Sequence, residues 1–317
     1  MERRPLGNSG IDLTVLGLGG HEYLPDGRPR GFAEDGRLAT TPGYIFEGFG
    51  GAARKRVLSA AYEHGINFLD VTQDSEKEAL GRNLVEVPPP HDIFVQTRPE
   101  GMVYHYDENN RKMADYDLLR KEVDRILTLL RMDHIDFLNV AFMQSALDAD
   151  PDYLDNIERN IERLKRERLI RFATADTFSG ESTYLRQIES GLFDAIFINL
   201  NFADSAPTER VLPEARRNGI GVLAREAFLK GELFAIAEEA GVDDFDLAAA
   251  AALKWVLNLP EVTSVIVGAA TPDQLDTSVR TADNRTPSAA EHDTIARLRT
   301  TERFRAYRER KDRAFRG

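Results

Sequence analysis

The chain has 317 residues, 42% of them hydrophobic, and a formal charge of −12 from 41 Lys and Arg against 53 Asp and Glu. An acidic surface repels phosphate backbones, so nucleic acid is not an expected partner; the one basic stretch, Arg303–Arg313, reads as the solvated face of a terminal helix. Without cysteine, disulfides, thiolate metal sites and thiol nucleophiles are excluded, and without a signal-type or membrane-length apolar run a cytoplasmic protein with no membrane partner is expected.

The first element predicted is a hairpin, because Arg4-Pro-Leu-Gly-Asn-Ser-Gly-Ile-Asp-Leu places turn residues between two short strand-like pieces. Short apolar, β-branched runs then recur at 15–18, 66–69, 93–97, 135–140, 170–175, 195–200, 221–224 and 262–267. Helical patterns at 53–64, 76–85, 117–131, 153–167, 180–190, 208–218, 246–258 and 272–280 alternate with them, and a last helix is expected near 288–315. Eight strands each followed by a helix predict an α/β protein, a (β/α)8 TIM barrel forming a single domain over 1–317. Two connections are long, residues 22–51 after the first strand and 99–116 after the third. Connections of that type sit over the barrel mouth, where active sites of this fold lie. Residues 22–51 are read as a lid, the alternative being a surface excursion or an oligomer contact.

Within these connections Tyr44, Tyr104, His105 and Tyr106 are candidate proton donors, His105 the best of them because imidazole titrates near neutrality. His21, beside Glu22 and Tyr23, faces the same mouth and is a candidate substrate or cofactor contact, or else a packed histidine bonded to a carbonyl. The six histidines show no metal-ligand spacing, and no Walker loop or Gly-x-Ser-x-Gly elbow occurs, so no metal site is expected.

Several segments in order resemble the aldo/keto reductase superfamily: Leu16-Gly-Leu-Gly-Gly, then Ala60-Ala-Tyr-Glu-His-Gly-Ile-Asn-Phe-Leu-Asp, then Asp133-His-Ile-Asp-Phe. Phe228-Leu-Lys-Gly-Glu-Leu and Val262-Thr-Ser-Val-Ile-Val-Gly-Ala-Ala-Thr-Pro-Asp-Gln-Leu extend the resemblance to nearly the whole chain. It implies a hairpin plugging the barrel floor, NADP or NAD as cofactor, and carbonyl reduction by a Tyr, Lys, Asp and His tetrad. Of that tetrad only Asp70 is matched. The loop from Asp70 to Ser75-Glu-Lys-Glu-Ala-Leu-Gly is shortened and lacks the Tyr, the Lys position is Arg98, and the His position is Ala141. Arg98 cannot give up its proton, and its planar fork suits pairing with the Asp70 carboxylate, or clamping a carboxylate or phosphate on a substrate as well.

The resemblance also assigns a dinucleotide site. Asp176 and Thr177 stand where the family holds the nicotinamide carboxamide, Phe197 replaces a Gln, Asn201 follows, and Arg225 takes the stacking position. Asp176 is read as a carboxamide acceptor, a helix cap or a partner of Arg225. Phe228, Lys230, Gly231 and Leu233 match the pyrophosphate loop, and Gly268, Ala270, Gln274 and Ser278 match the helix opening that grips the far phosphate. No cation at 269–274 marks a 2′-phosphate, so the choice between NADP and NAD stays open. The function expected is an oxidoreductase on a small polar, anionic carbonyl or alcohol, with an active site lacking the family Tyr, Lys and His. The alternatives are a redox-neutral lyase or isomerase reusing the pocket, and a non-catalytic nucleotide-sensing or partner-binding barrel.

Overall fold

The computed structural model describes residues 1–100 and 111–317. Strands β1 (Arg3–Pro5) and β2 (Asp12–Thr14) pair antiparallel as a hairpin. Eight parallel strands follow: β3 (Leu16–Gly19), β4 (Phe68–Val71), β5 (Phe94–Thr97), β6 (Ile135–Ala141), β7 (Ile170–Asp176), β8 (Ala195–Asn199), β9 (Gly221–Arg225) and β10 (Ser264–Val267). They run in sequence order around a closed barrel, with β10 returning to pair with β3. The expected (β/α)8 barrel is the observed one.

Alternation along the strands decides what the barrel encloses, because successive side chains point to opposite faces. One set, including Leu69, Val71, Val95, Leu138, Val140, Ile196 and Val222, belongs to the core shared with the surrounding helices. The other set begins with an apolar layer of Phe68, Phe137, Ala195, Phe197 and Leu223, into which the hairpin inserts Leu6 and Leu13. The hairpin therefore closes the floor. Two residues further along the same strands the lumen turns polar, with Asp70 after Phe68, Gln96 after Phe94, Asn139 after Phe137 and Thr174 after Phe172. The switch from an aromatic floor to a polar upper layer directs ligand chemistry to the strands' C-terminal ends.

The chain departs from the expected elements in five places. Residues 22–51 contain a helix, Phe32–Ala39, interrupted by extended backbone at Asp35. Short helices Gln144–Ala149 and Glu232–Glu239 lie in stretches read as connections. The single terminal helix expected at 288–315 is two, Ala289–Leu298 and Glu302–Arg316. The break is capped: the Thr301 hydroxyl accepts from the Phe304 amide at 3.2 Å and opens a new helix. Finally, the connection 99–116 ends in a short helix, Arg111–Ala114, and Tyr116 already starts the next helix, Tyr116–Leu130.

Residues 22–51 form a strap fastened to the start of the helix Asp74–Glu86, which follows β4. Gly43 N–H donates to Asp74 Oδ2 at 2.7 Å, Phe46 N–H to Ser75 Oγ at 2.9 Å, and Gln73 Nε2 to the Arg30 carbonyl at 3.0 Å. Glu22 closes the strap on itself by accepting from Gly50 N–H at 2.5 Å. A helix N-terminus leaves its first amides and its adjacent polar side chains available for such contacts, which explains where the strap attaches.

Candidate active site at the barrel mouth

Asp70 ends the inward row of β4 and is half-buried. Its Oδ1 accepts from Gln96 Nε2 at 2.8 Å, the two residues being register partners on β4 and β5. Burial pushes the Asp70 carboxyl up, while Gln96 and the nearby Arg98 and Arg225 guanidinium groups pull it down, and the net shift is upward. Arg98 thus acts on Asp70 through space, and the hydrogen bond comes from Gln96. Beneath them Gln96 Oε1, Asn139 Oδ1, Thr174 Oγ1 and Ser264 Oγ are buried with no hydrogen-bond partner among the described residues. Buried polar atoms are normally satisfied, so this row of acceptors and hydroxyls marks a place for water or ligand.

On the far side of the mouth Asp176 and Arg225 form a closed pair. Arg225 Nη1 donates to Asp176 Oδ2 at 2.8 Å and Nη2 to Oδ1 at 2.9 Å, while Nε donates to Asn199 at 2.6 Å. The guanidinium also lies over the Phe197 ring, 4.4 Å from its centroid. Of the three roles read for Asp176, the structure displays the partner of Arg225. Both carboxylate oxygens face the fork, so a carboxamide would have to compete with a bidentate charge-assisted pair. Thr177 accepts from Ser179 N–H at 3.0 Å and stabilises a turn. Asn201 likewise shapes its own loop, accepting from the amides of Ala203 and Asp204 at 3.0 and 2.8 Å and donating to the Glu226 carbonyl at 3.0 Å.

The loop after β9 carries unusual backbone. Glu226, Leu229 and Lys230 have φ of 66°, 54° and 55°, and Gly231 follows at 90° before the helix Glu232–Glu239. Non-glycine residues held at positive φ cost energy and persist where the surroundings impose them, often at ligand sites. Here Glu226 is held by Lys230 at 3.0 Å and by Lys311 of the last helix at 2.9 Å, and Lys311 also reaches Asp204 at 3.0 Å. Phe228 is half-buried and Leu233 buried, while the Lys230 side chain extends to solvent. At the neighbouring helix Pro272–Asp283, Gln274 Oε1 accepts from Ala270 N–H at 2.8 Å, and Ser278 bonds back to the Gln274 carbonyl at 3.2 Å. Gly268, just beyond β10, lies directly under the Tyr23 hydroxyl of the strap, and a Cβ there would collide with it.

A third group joins strap and barrel between β3 and β4. His21 Nδ1 donates to Glu76 Oε1 at 2.7 Å. Arg54, on the helix Ala52–Glu63, is 7% exposed; its Nη2 donates to the Gly19 carbonyl at 2.9 Å. Its Nη1 is buried without a partner among the described residues, and burial lowers its pKa against the pull of Glu22, Glu76 and Tyr23. Tyr44 is 38% exposed and packs edge-on against Phe46, 4.9 Å between centroids. Tyr104, His105 and Tyr106 lie outside the described residues.

Glu76 as a partner of His21, and Arg54, Gln96 and Asn139, are not among the residues that the sequence singles out. The signal for Gln96 and Asn139 was available: each is a polar residue at the inward period of an otherwise apolar strand. Nothing local marks Arg54, whose burial depends on the strap.

The aldo/keto reductase family profile matches residues 48–246. The chain belongs to the aldo/keto reductase family. It is a family of oxidoreductases, and the matched residues take in β4 to β9 and the loop after β9. No curated protein sequence matches the chain significantly. Among solved structures, an aldo-keto reductase from Bacillus halodurans in its holo form is 20% identical with a TM-score of 0.66, covering 94% of this chain and 96% of that one. The glycerol dehydrogenase from Gluconobacter oxydans is 21% identical with a TM-score of 0.68, covering 94% of each. At this identity the likeness speaks to the fold. Among the described residues no helix is long and apolar enough to cross a membrane, and no group of three His, Asp or Glu could hold a metal.

Two surface clefts lie away from the mouth. One is lined by Gln144, Glu181, Arg186, Glu189, Arg210 and Arg316, the other by floor residues around Asn8 and Gly219. In the first, Arg210 pairs with Glu181 and Arg316 with Glu209, a solvated ion-pair cluster of the kind that coats most surfaces. The chemistry stays at the mouth.

Proposed function

We propose that this aldo/keto reductase is a cytoplasmic, NAD(P)H-dependent oxidoreductase acting on a small, polar, anionic carbonyl compound or the matching alcohol. The observation that carries the reading is the mouth itself. Polar atoms without partners among the described residues line the lumen beneath Asp70, and Arg98 and Arg225 act electrostatically on Asp70. Charged groups so placed need partners or ligands to offset their desolvation, and a substrate carboxylate matches the arginine forks.

A dinucleotide fits the remaining features. In the left-handed turn the amides of Leu229 and Gly231 bond the Glu226 and Phe228 carbonyls at 2.9 Å. At the opening of the helix Pro272–Asp283 those of Ala270 and Gln274 bond Gln274 Oε1 and Thr271 Oγ1. A phosphate there takes the Lys230 and Asp273 amides or displaces these contacts. Arg54 Nη1, buried without a partner among the described residues and near the Tyr23 that covers Gly268, is a cationic donor on that side. Arg225, with Phe197 at 4.4 Å and Phe178 at 5.4 Å from its guanidinium carbon, forms the cluster against which the nicotinamide end is placed. The cofactor, when bound, supplies or accepts hydride. The residues of the chain bind the substrate through Arg98, orient it against Asp70 and Gln96, and exclude water with the strap.

Calorimetric titration of nucleotide-free protein with NADPH and then NADH tests the proposal. Micromolar binding of at least one is expected, and the tighter of the two settles the 2′-phosphate preference. Absence of binding by folded protein overturns the proposal and turns attention to redox-neutral chemistry on anionic substrates.

A further inference from the structure

The family positions for the Tyr and His of the tetrad carry no proton-transferring group, yet the mouth contains a carboxylate–imidazole pair elsewhere. Glu76 is 1% exposed on its side chain and fixed from several directions. Its Oε2 accepts from Thr72 N–H at 2.8 Å and from Gln73 N–H at 3.4 Å, and its Oε1 accepts from Gln73 Nε2 at 3.0 Å. His21 Nδ1 fills the remaining direction at 2.7 Å. Gly20 makes the approach possible, because a Cβ there would meet both Val71 and Glu76 Oε2. Phe32 of the strap packs edge-on against the imidazole, 5.8 Å between centroids.

A carboxylate only accepts, so Nδ1 keeps its hydrogen and the proton that comes and goes is on Nε2. The His21 side chain is 38% exposed and stands near Asp70 and Arg98, so the ring is not sealed in the core. We propose that His21 is the general acid–base of this active site and that Glu76 is its positioning residue, fixing the tautomer and orientation of the ring. The inference rests on the oxidoreductase reading. In the reducing direction the carbonyl carbon gains hydride with its electron pair from the dihydronicotinamide, which is oxidised. The C=O π bond breaks, its oxygen takes the Nε2 proton, and the neutral imidazole recovers a proton from water.

The groups facing His21 are Glu76, Asp70 and Arg98, with Glu22 and Tyr23 next in the chain and Arg54 acting on Glu76. Burial alone lowers the imidazole pKa, but attraction and hydrogen bonding from Glu76, with Asp70 adding, hold it above 6.5 against Arg98. Burial pushes Glu76 up, but the charge and hydrogen bond of His21, the Thr72 amide and Arg54 hold it below 4.5. The pair is therefore ionised across the range between those values, and His21 remains an acid to higher pH than a free histidine.

The test has two readouts. In nucleotide-free protein, NMR titration of the imidazoles, assigned with His21→Asn, should show His21 titrating above 6.5 and shifting to lower pH in Glu76→Gln. With NADPH or NADH and two probes, glyoxylate and succinate semialdehyde, His21→Asn should lose about 10²–10⁴-fold in kcat with nucleotide affinity kept. In Glu76→Gln the alkaline limb of the rate profile should move to lower pH, a change that a merely structural role would not produce. A His21 that titrates at or below 6.5, or is indifferent to Glu76→Gln, overturns the assignment. So does turnover by His21→Asn within about threefold of the wild type, set against the loss general acid–base catalysis implies. A wild type that binds nucleotide yet reduces neither probe overturns it too. Failure of the wild type to bind either nucleotide instead overturns the oxidoreductase reading, and the role of His21 in carbonyl reduction with it.

Discussion

The pair between Asp176 and Arg225 makes an asymmetric prediction about stability. Asp176 is 0% exposed and Arg225 retains 14% side-chain exposure. Arg225→Met removes two charge-assisted bonds and leaves a buried carboxylate beside the Tyr184 hydroxyl, which donates to it at 3.3 Å. Breaking a buried pair in this way costs about 3–5 kcal/mol, and methionine keeps enough volume to stay on Phe197, so little of the loss comes from packing. Asp176→Asn keeps the shape and one acceptor. The arginine left behind still has Asn199 at 2.6 Å, the Phe197 ring at 4.4 Å and an edge in water. Its cost should be about 1–3 kcal/mol, the range for an imperfectly satisfied polar group. The double variant, with no charge left to strand, should lie close to the milder single one. Urea unfolding followed by circular dichroism and by the fluorescence of the single tryptophan, Trp255, measures all four proteins. Unchanged slopes with midpoints in the order wild type, Asp176→Asn, Arg225→Met are expected. Equal losses in the two single variants, or a loss below about 1 kcal/mol in Arg225→Met, would show that the pair is not a buried ionic contact whose rupture strands a charge.

Two further perturbations probe the strap and its anchor. Lys77 is fully buried, pairs with Asp74 at 2.8 Å, and has its pKa lowered to about 8, chiefly by burial. Lys77→Met should cost about 3 kcal/mol, the low end for a broken buried pair, because Asp74 keeps Arg125 and Gly43 N–H. A lysine whose folded pKa lies below its unfolded value sheds its proton first in the native state. The buried-charge penalty is therefore full below about pH 8 and relieved as pH rises toward 10.5. Wild type should gain on Lys77→Met over that interval in urea midpoints, and a constant difference would refute the burial argument. Gly268→Ala puts a methyl group where the Tyr23 hydroxyl sits. The strap should lift there, and trypsin should cut after Arg30 or Arg37 several-fold faster than in wild type; unchanged proteolysis would mean that Tyr23 yields without moving the strap.

The sequence by itself determined the barrel. Runs of apolar residues at strand length, alternating with helical periods, recur eight times, and local patterning of that kind has few tertiary solutions. The hairpin was legible from its turn chemistry, its place at the floor was implied only by the family resemblance, and the structure shows Leu6 and Leu13 filling that place. The resemblance also implies that the family Tyr, Lys and His have no counterpart, a reading that needs only one position at a time. Tertiary structure decided how the remaining charges are shared. Asp176 and Arg225 are 49 residues apart, and Glu76 and His21 are 55 apart. Only barrel closure and the fastening of the strap bring them to hydrogen-bond distance. Whether a charged side chain is a ligand, a partner or a spare donor depends on burial and on which neighbour reaches it first. Those are properties of the closed mouth, and no window along the chain contains them.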